Sequence, residues 1–384
     1  MQALRPMGGV RAWGCNGCQS MEKSPGMDAF RNAKRILMAR LGNIKDVLMV
    51  SPAVGAVRRA WPSAELTLMV SPAGATVAGW VPGLDEVFVH RALWQDVQSD
   101  IAFDPAREQL LITELARRSF DVALIFTGVA QSPLPFAYAC YLAGISVRAG
   151  QSREFGGKVL THWVRPLADD AHQVDRNLHL VHEVGISVTG PENAVMRVLV
   201  PRAAHAQAQM LLQEQGISGD FVVIAPGATC GARRYPKDCY AAVAAGLRQA
   251  GRVVVVVGGP KDAACGAGIA SASGAISLCG QTDIAVLAAL LARARLLIGN
   301  DAAPMHMADA VGCPMVILYA GTDLEARWRP RHAPARILRR PTACSPCYRL
   351  ACPYDLECLA ISPAKVVAQA LELMGGTLRV VAGG

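Results

Sequence analysis

The chain has 384 residues, 52% of them hydrophobic and 18% charged, which is ample for two packed cores and too apolar for a disordered chain. Its formal charge of +8 suits an anionic partner (a nucleotide, a nucleic acid or a phosphorylated membrane surface), but no lysine-rich run or aromatic–basic interleaving marks a nucleic-acid groove. The most apolar stretch, Leu287–Ile298, carries Arg293 and Arg295, so no transmembrane helix is expected.

Residues 1–34 are rich in Gly, Met, Arg and Ser and lack the apolar run of a secretory signal. They are expected to be a flexible extension, with Met21 and Met27 as alternative starts. Cys15 and Cys18 form a Cys-x-x-Cys pair there, with no second pair nearby to complete a metal site.

The first strand is expected at Arg35–Arg40, whose central residues are all apolar, as in a strand buried on both faces of a parallel sheet. A Gly-containing turn, Leu41–Lys45, leads to a helix from about Asp46 to just before Trp61-Pro62. Val47, Val50, Val54 and Val57 recur on it at helical spacing. Strands follow at Glu65–Val70, Glu86–His90 and Asp121–Phe126, separated by helices near Ala75–Trp80 and Pro105–Arg117. Residues 127–185 are less regular, with helices near Leu134–Leu142 and Val174–Val184.

The alternation restarts near residue 200. Helices are expected at Ala203–Glu214, Pro236–Ala250, Asp283–Ala292, Pro304–Val311 and, last, Pro363–Met374. Strands are expected at Phe221–Ala225, Arg252–Val257, Arg295–Ile298 and Pro314–Leu318. Strand–helix alternation of this kind predicts an α/β chain with doubly wound, mostly parallel sheets. Three parts are expected: the extension 1–34, a Rossmann-like domain over 35–200 and a second over 201–384.

Open α/β sheets bind ligands at the carboxyl ends of their strands, so the loops after the strands are the places to look for chemistry. Pro226-Gly-Ala-Thr-Cys-Gly-Ala-Arg-Arg-Tyr-Pro236 follows a buried strand and opens a helix. Its small residues let backbone N–H groups approach a phosphate, and Arg233 and Arg234 add fixed positive charge. The alternative is a plain loop with two solvated arginines. Gly258-Gly-Pro-Lys-Asp262 ends another strand, where the Asp262 carboxylate can accept ribose hydroxyls, although Gly-Gly-Pro is also simply a turn. In Gly299-Asn-Asp-Ala-Ala-Pro-Met-His306, Asp301 is expected at the helix N-cap. Ala302 and Ala303 offer N–H groups to an anion, and His306 lies just inside the helix. Capping alone would also explain Asp301. In the first half, Asp46 at the start of the first helix is either a general base facing a cleft or a carboxylate that complements the helix dipole.

Among the twelve cysteines, Cys140, Cys265, Cys279 and Cys313 lie among apolar or small residues and read as buried reduced thiols, a cytoplasmic pattern. Cys344, Cys347, Cys352 and Cys358 lie within fifteen residues. Structural zinc or iron, disulfides and free thiols all remain open for them.

These pieces, in order from Arg35 to Met374, resemble the ADP-heptose:lipopolysaccharide heptosyltransferases, glycosyltransferase family 9. The resemblance rests on Arg35-Ile-Leu-Met-Ala-Arg-Leu-Gly, Asp46-Val-Leu, Pro52, Trp61-Pro62, Pro226-Gly-Ala-Thr, Gly258-Gly-Pro, Gly299-Asn-Asp301 with His306, and the closing Cys-x-x-Cys segment. It implies the GT-B fold, two Rossmann-like domains facing across a cleft, and an inverting transfer of heptose from ADP-heptose to a lipopolysaccharide core acceptor. The family needs no metal or other cofactor for catalysis. Asp46 would be the general base. Thr229 and Arg233 would bind phosphate, Asp301 with Ala302 and Ala303 the donor, and Asp262 the ribose. A cytoplasmic enzyme, peripheral at the inner face of the inner membrane, is implied. The chain departs from the family pattern at Lys45, where glycine is usual, and at Ala302-Ala303, where Thr-Gly is usual. These departures keep two alternatives in view: another donor or a protein acceptor, and a degenerate protein that binds a nucleotide sugar without turnover.

Overall fold

The strand β1 (Arg35–Arg40) is buried from Ile36 onward, and its side chains alternate between two apolar clusters. Ile36 and Met38 join one, and Leu37 and Ala39 the other, so helices must cover both faces. The computed structural model describes residues 32–96, 99–188 and 190–375. The expected extension lies almost wholly outside these residues, as do Cys15 and Cys18.

Parallel to β1 run β2 (Glu65–Val70), β3 (Glu86–Val89), β4 (Val122–Ile125), β5 (Val147–Gln151) and β6 (His162–Val164), in the order β3-β2-β1-β4-β5-β6. The helices α1 (Ile44–Ala60), α2 (Pro72–Ala78), α3 (Pro105–Arg118), α4 (Leu134–Leu142) and α5 (Gln173–Glu183) cover this sheet. The second sheet contains β7 (Phe221–Ala225), β8 (Val253–Val256), β9 (Ile276–Ser277), β10 (Leu296–Asn300), β11 (Met315–Leu318) and β12 (Ala335–Leu338). It is also wholly parallel, in the order β12-β11-β10-β7-β8-β9. Around it lie α6 (Arg202–Glu214), α7 (Lys237–Gln249), α8 (Ala263–Ser273), α9 (Ile284–Arg293), α10 (Ala303–Val311), the short α11 (Glu325–Trp328) and α12 (Pro363–Leu373). Both sheets therefore have the doubly wound order in which the winding reverses beside the first strand. Each opens a crevice there, between β1 and β4 and between β7 and β10.

Several elements lack an apolar period in the sequence. β5 carries Arg148, yet this residue is buried. Its guanidinium donates to the carbonyls of Val159 at 2.7 Å, Ser146 at 3.2 Å and Lys158 at 3.1 Å, and also to Ile145. An arginine so satisfied can occupy a core position that sequence reading assigns to a loop. α8 consists mostly of Ala, Gly and Ser. Its Gly266 packs so closely that a Cβ there would lie 2.3 Å from Cys279 Sγ. β6, β9 and β12 are two to four residues long, too short to show alternation.

α1 continues through Pro52, which offers no N–H to the Leu48 carbonyl; the Ser51 hydroxyl donates to that carbonyl instead, at 2.7 Å. Most of α1 is buried, because it packs on the first sheet, on α2 and α5, and on α10 of the other unit. One apolar cluster accordingly runs from the first sheet through α1 and α10 into the second sheet. No helix among the described residues is long and apolar enough to cross a membrane.

Candidate functional site

Asp46 sits in the first turn of α1, only 8% exposed. Its Oδ2 accepts from the Asn43 backbone N–H at 2.9 Å, and its Oδ1 from Arg40 Nη2 at 2.6 Å. Arg40 is itself buried and also donates to Gln131 Oε1 at 3.2 Å, an oxygen that the Gly128 N–H shares at 2.8 Å. The loop after β4 is thus tied to Asp46 through one guanidinium. Gly42 is required here: a Cβ at that position would lie 2.3 Å from Asp46 Oδ2. Beside this network a polar cavity of about 200 Å³ is lined by Thr127–Ser132, Gln151–Glu154, Pro166 and Arg176.

In the second unit the three glycine-bearing loops do converge. Thr229, Gly258, Asp262, Ala302 and Ala303 line one cavity of about 460 Å³. Pro304, from the same motif as Ala302 and Ala303, lines it too, as do Thr282, Asp283, Ile284, Leu287 and Met307, which the sequence did not mark as site residues. Asp283 carries only a capping signal, and its Oδ1 accepts from Val286 N–H at 2.8 Å. Ile284, Leu287 and Met307 give the cavity an apolar side suited to a flat aromatic base.

Asp262 also has a structural task. Its Oδ2 accepts from the Gly259 N–H at 3.2 Å, and a Cβ at Gly227 or Gly258 would collide with its side chain. Arg234 folds back on its own loop, donating to the Ala228 carbonyl at 3.0 Å. Arg233 points instead toward the cleft. Its Nε donates to Thr322 Oγ1 at 2.8 Å, and its Nη1 lies 3.6 Å from Asp301 Oδ2.

Asp301 is not the N-cap expected from sequence. Ala302 holds that position, in extended backbone open to any residue, and α10 begins at Ala303. The Asp301 carboxylate is buried with Oδ2 lacking a hydrogen-bond partner. Burial raises its pKa, and the charges of Arg233 and Lys45 partly counter this. His306 is buried beside it with Nε2 unpartnered. Burial, together with the cations Lys45 and Arg233, holds its pKa well below the usual histidine value. The residue missed in this loop is Asn300. Its Nδ2 donates to the Pro226 carbonyl at 2.8 Å, and its Oδ1 accepts from Tyr235 N–H at 3.1 Å and Tyr240 Oη at 3.0 Å. One buried amide therefore joins the loops after β7 and β10.

The two halves meet at Lys45, whose Nζ stands 3.5 Å from the centre of the Trp328 ring. Further cross-links run from His172 to the Arg329 carbonyl at 3.0 Å and from Arg331 to Asp175 at 2.6 Å. Asp46, next to Lys45, is thus close to the second unit, whose Arg233 and Asp301 act on the charge of Lys45.

The cysteine segment does not form a centre of its own. Cys344 is exposed and Cys358 buried, and no three His, Cys, Asp or Glu side chains among the described residues are placed to hold a metal ion. All ten described cysteines are free, and Cys265 is less buried than expected. The segment instead braces the second unit's loops through its backbone. Ala232 N–H donates to the Leu350 carbonyl at 3.1 Å, and Cys347 N–H to the Gly321 carbonyl at 2.9 Å.

A model of glycosyltransferase family 9 (heptosyltransferase) matches residues 109–357. Lipopolysaccharide heptosyltransferase 3 of Escherichia coli (strain K12) is 26% identical over 297 residues, covering 74% of this chain and 82% of that protein. A family 9 glycosyltransferase from Veillonella parvula DSM 2008 superposes with a TM-score of 0.73 at 22% identity, over 89% of this chain and 97% of the other. The E. coli ADP-heptose lipopolysaccharide heptosyltransferase II does so at 0.68 and 20%, over 88% and 98%. Two Rossmann-like units facing across a cleft, the GT-B architecture, are common to these chains.

Proposed function

The chain belongs to glycosyltransferase family 9, the heptosyltransferases, and on that premise we propose that it transfers heptose from ADP-heptose to a lipopolysaccharide core acceptor with Asp46 as general base. The observation that supports this reading is that Lys45, next to Asp46, stands 3.5 Å from the Trp328 ring of the other unit and close to the charges of Arg233 and Asp301, whose loops also line the 460 Å³ cavity. In our reading, residues 35–200 form the acceptor-side unit and residues 201–384 the donor-side unit.

The donor lies with its base against Ile284, Leu287 and Met307, its ribose near Asp262, and its diphosphate at Thr229, Arg233 and the N-terminal N–H groups of α10. Asp301 and His306 meet the sugar. The acceptor enters from the polar cavity beside Gln131 and Arg176. Its hydroxyl oxygen attacks the anomeric carbon from the face opposite the diphosphate, and its proton passes to Asp46. The bond to the phosphate oxygen breaks, ADP leaves with the electron pair, and the anomeric centre inverts. Arg233 and the helix-end N–H groups meet the charge that develops on the leaving group, so a divalent cation is not needed. Cleft closure excludes water that would otherwise hydrolyse the donor. The net positive charge and a lipid-linked acceptor support a cytoplasmic enzyme at an anionic inner-membrane surface. Ala302 and Ala303 favour one variant of this reading, a related nucleotide sugar in place of ADP-heptose.

The test is a panel of nucleotide sugars, read first by thermal shift and then by release of nucleoside diphosphate with core-truncated lipopolysaccharide. ADP-heptose should stabilise the protein, and its turnover should require acceptor and persist in EDTA. Stabilisation by a different nucleotide sugar would reassign the donor. Absence of binding by every member of the panel would refute the transferase reading.

A further inference from the structure

We propose that Lys45 is a donor-binding residue: reaching across the cleft from the acceptor-side unit, its ammonium takes the diphosphate of the nucleotide sugar together with Arg233. This rests on the donor site proposed above.

Lys45 is in the first turn of α1, directly before Asp46. Its Nζ stacks on the Trp328 ring but makes no hydrogen bond and no ion pair within the described residues. An ammonium has three N–H donors and no acceptor, so all three await a partner. Two of the three neighbouring carboxylates are already engaged. Asp46 is held by Arg40 and Asn43. Asp323 accepts from Trp328 Nε1 at 2.9 Å, Arg327 Nη1 at 3.1 Å and the Leu324 N–H at 2.7 Å. The third, Asp301, has its Oδ2 3.6 Å from Arg233 Nη1 and without a hydrogen-bond partner. The Trp328 ring, fixed by Asp323, is therefore a shelf that positions the ammonium without neutralising it.

Facing Lys45 are Asp46 from its own helix, Asp301 from the end of β10, Asp323 from the loop before α11, and Arg233 from the loop after β7. Burial, the largest influence, and Arg233 lower the pKa of Lys45, while the three acids raise it. A partly desolvated cation beside a second cation is satisfied best by an anion that bridges both. Arg233 has its Nε committed to Thr322 and its Nη1 3.6 Å from Asp301 Oδ2, leaving Nη2 to meet such an anion. The two cations come from opposite units, so a diphosphate between them also draws the cleft shut over the sugar. A monophosphate ending at the α-phosphate would not span both.

Isothermal titration of ADP, UDP and GDP, and of the matching monophosphates, into wild type, Lys45→Met, Lys45→Ala and Lys45→Arg tests this. Methionine keeps an apolar stem on Trp328 and removes only the charge. Diphosphate affinity should fall about tenfold in Lys45→Met and Lys45→Ala, with monophosphate affinity nearly unchanged and arginine restoring most of the loss. Wild-type diphosphate affinity in Lys45→Met overturns the proposal. Equal losses for mono- and diphosphates would mark a merely structural lysine and overturn it too. A wild-type protein that binds none of the diphosphates refutes the donor site itself, and the role of Lys45 with it.

Discussion

Asp46 owes its position to three neighbours that do no chemistry. Arg40 and the Asn43 N–H hold its two oxygens, and Gly42 leaves room for it. Gly42→Ala should therefore displace the carboxylate, lowering kcat by about 100-fold while donor affinity, measured by titration, stays near wild type. Asn300 plays the matching part in the second unit. Asn300→Ala strips partners from a buried carbonyl, a buried N–H and a buried hydroxyl, and should cost about 3 kcal/mol in denaturant unfolding and weaken donor binding as well. Asp46, Thr229, Asp262 and Ala302 were candidates in the sequence because each lies between the end of a buried strand and the first turn of the next helix. Asn300 stood in view between Gly299 and Asp301, but its role depends on Tyr235 and Tyr240, more than sixty residues away in the chain for the first of them. Spacing along a sequence carries no trace of that. The same limit explains Asp301: a capping role is local and readable, whereas a carboxylate turned toward Arg233 is a tertiary fact.

At the scale of elements, strands with uninterrupted apolar residues declared themselves, as β1, β7, β8 and β10 did. The ones that stayed hidden are those whose burial is secured by hydrogen bonds or small side chains rather than apolar runs. β5 is the clearest, because the buried Arg148 closes the turn before it and the segment 158–159 after it. Arg148→Met should keep the hydrophobic volume but leave those carbonyls unpartnered. The expected loss is about 3 kcal/mol by urea unfolding, with nucleotide affinity unchanged. A loss of both stability and nucleotide affinity would mean that the first sheet's edge supports the donor side, which its distance in the fold argues against. The segment 127–132, which lines the polar cavity, is likewise invisible to pattern reading, since its Gln131 is tied to Asp46 through Arg40, a tertiary contact.

For the whole molecule, the decisive feature is that two separately wound sheets share one apolar cluster through α1 and α10, with polar ties at its edge. His172 is such a tie: its Nδ1 accepts from Val174 N–H and its Nε2 donates to the Arg329 carbonyl, which suits a neutral ring. Burial, the largest cause, and Arg331 lower its pKa from 6.5 to about 4. Because the folded value lies below the unfolded one, the unfolded chain binds the extra proton between these limits. Its contribution is fully present above pH 6.5 and is lost as pH falls toward 4. Unfolding free energy should drop by about 2 kcal/mol between pH 7 and pH 5 on this account, and His172→Gln should flatten that slope in urea titrations at the two pH values. His306, depressed in the same direction, adds to the slope in both proteins. An unchanged slope in His172→Gln would mean that the tie between the units does not titrate.

The central proposal is that a base on one unit deprotonates the acceptor that attacks a donor held by the other. It is tested most directly by rapid-quench single-turnover transfer from saturating donor to acceptor, comparing wild type with Asp46→Asn. The account predicts that donor affinity is retained while the transfer step slows by at least about 100-fold. Transfer by Asp46→Asn at close to the wild-type rate would contradict it.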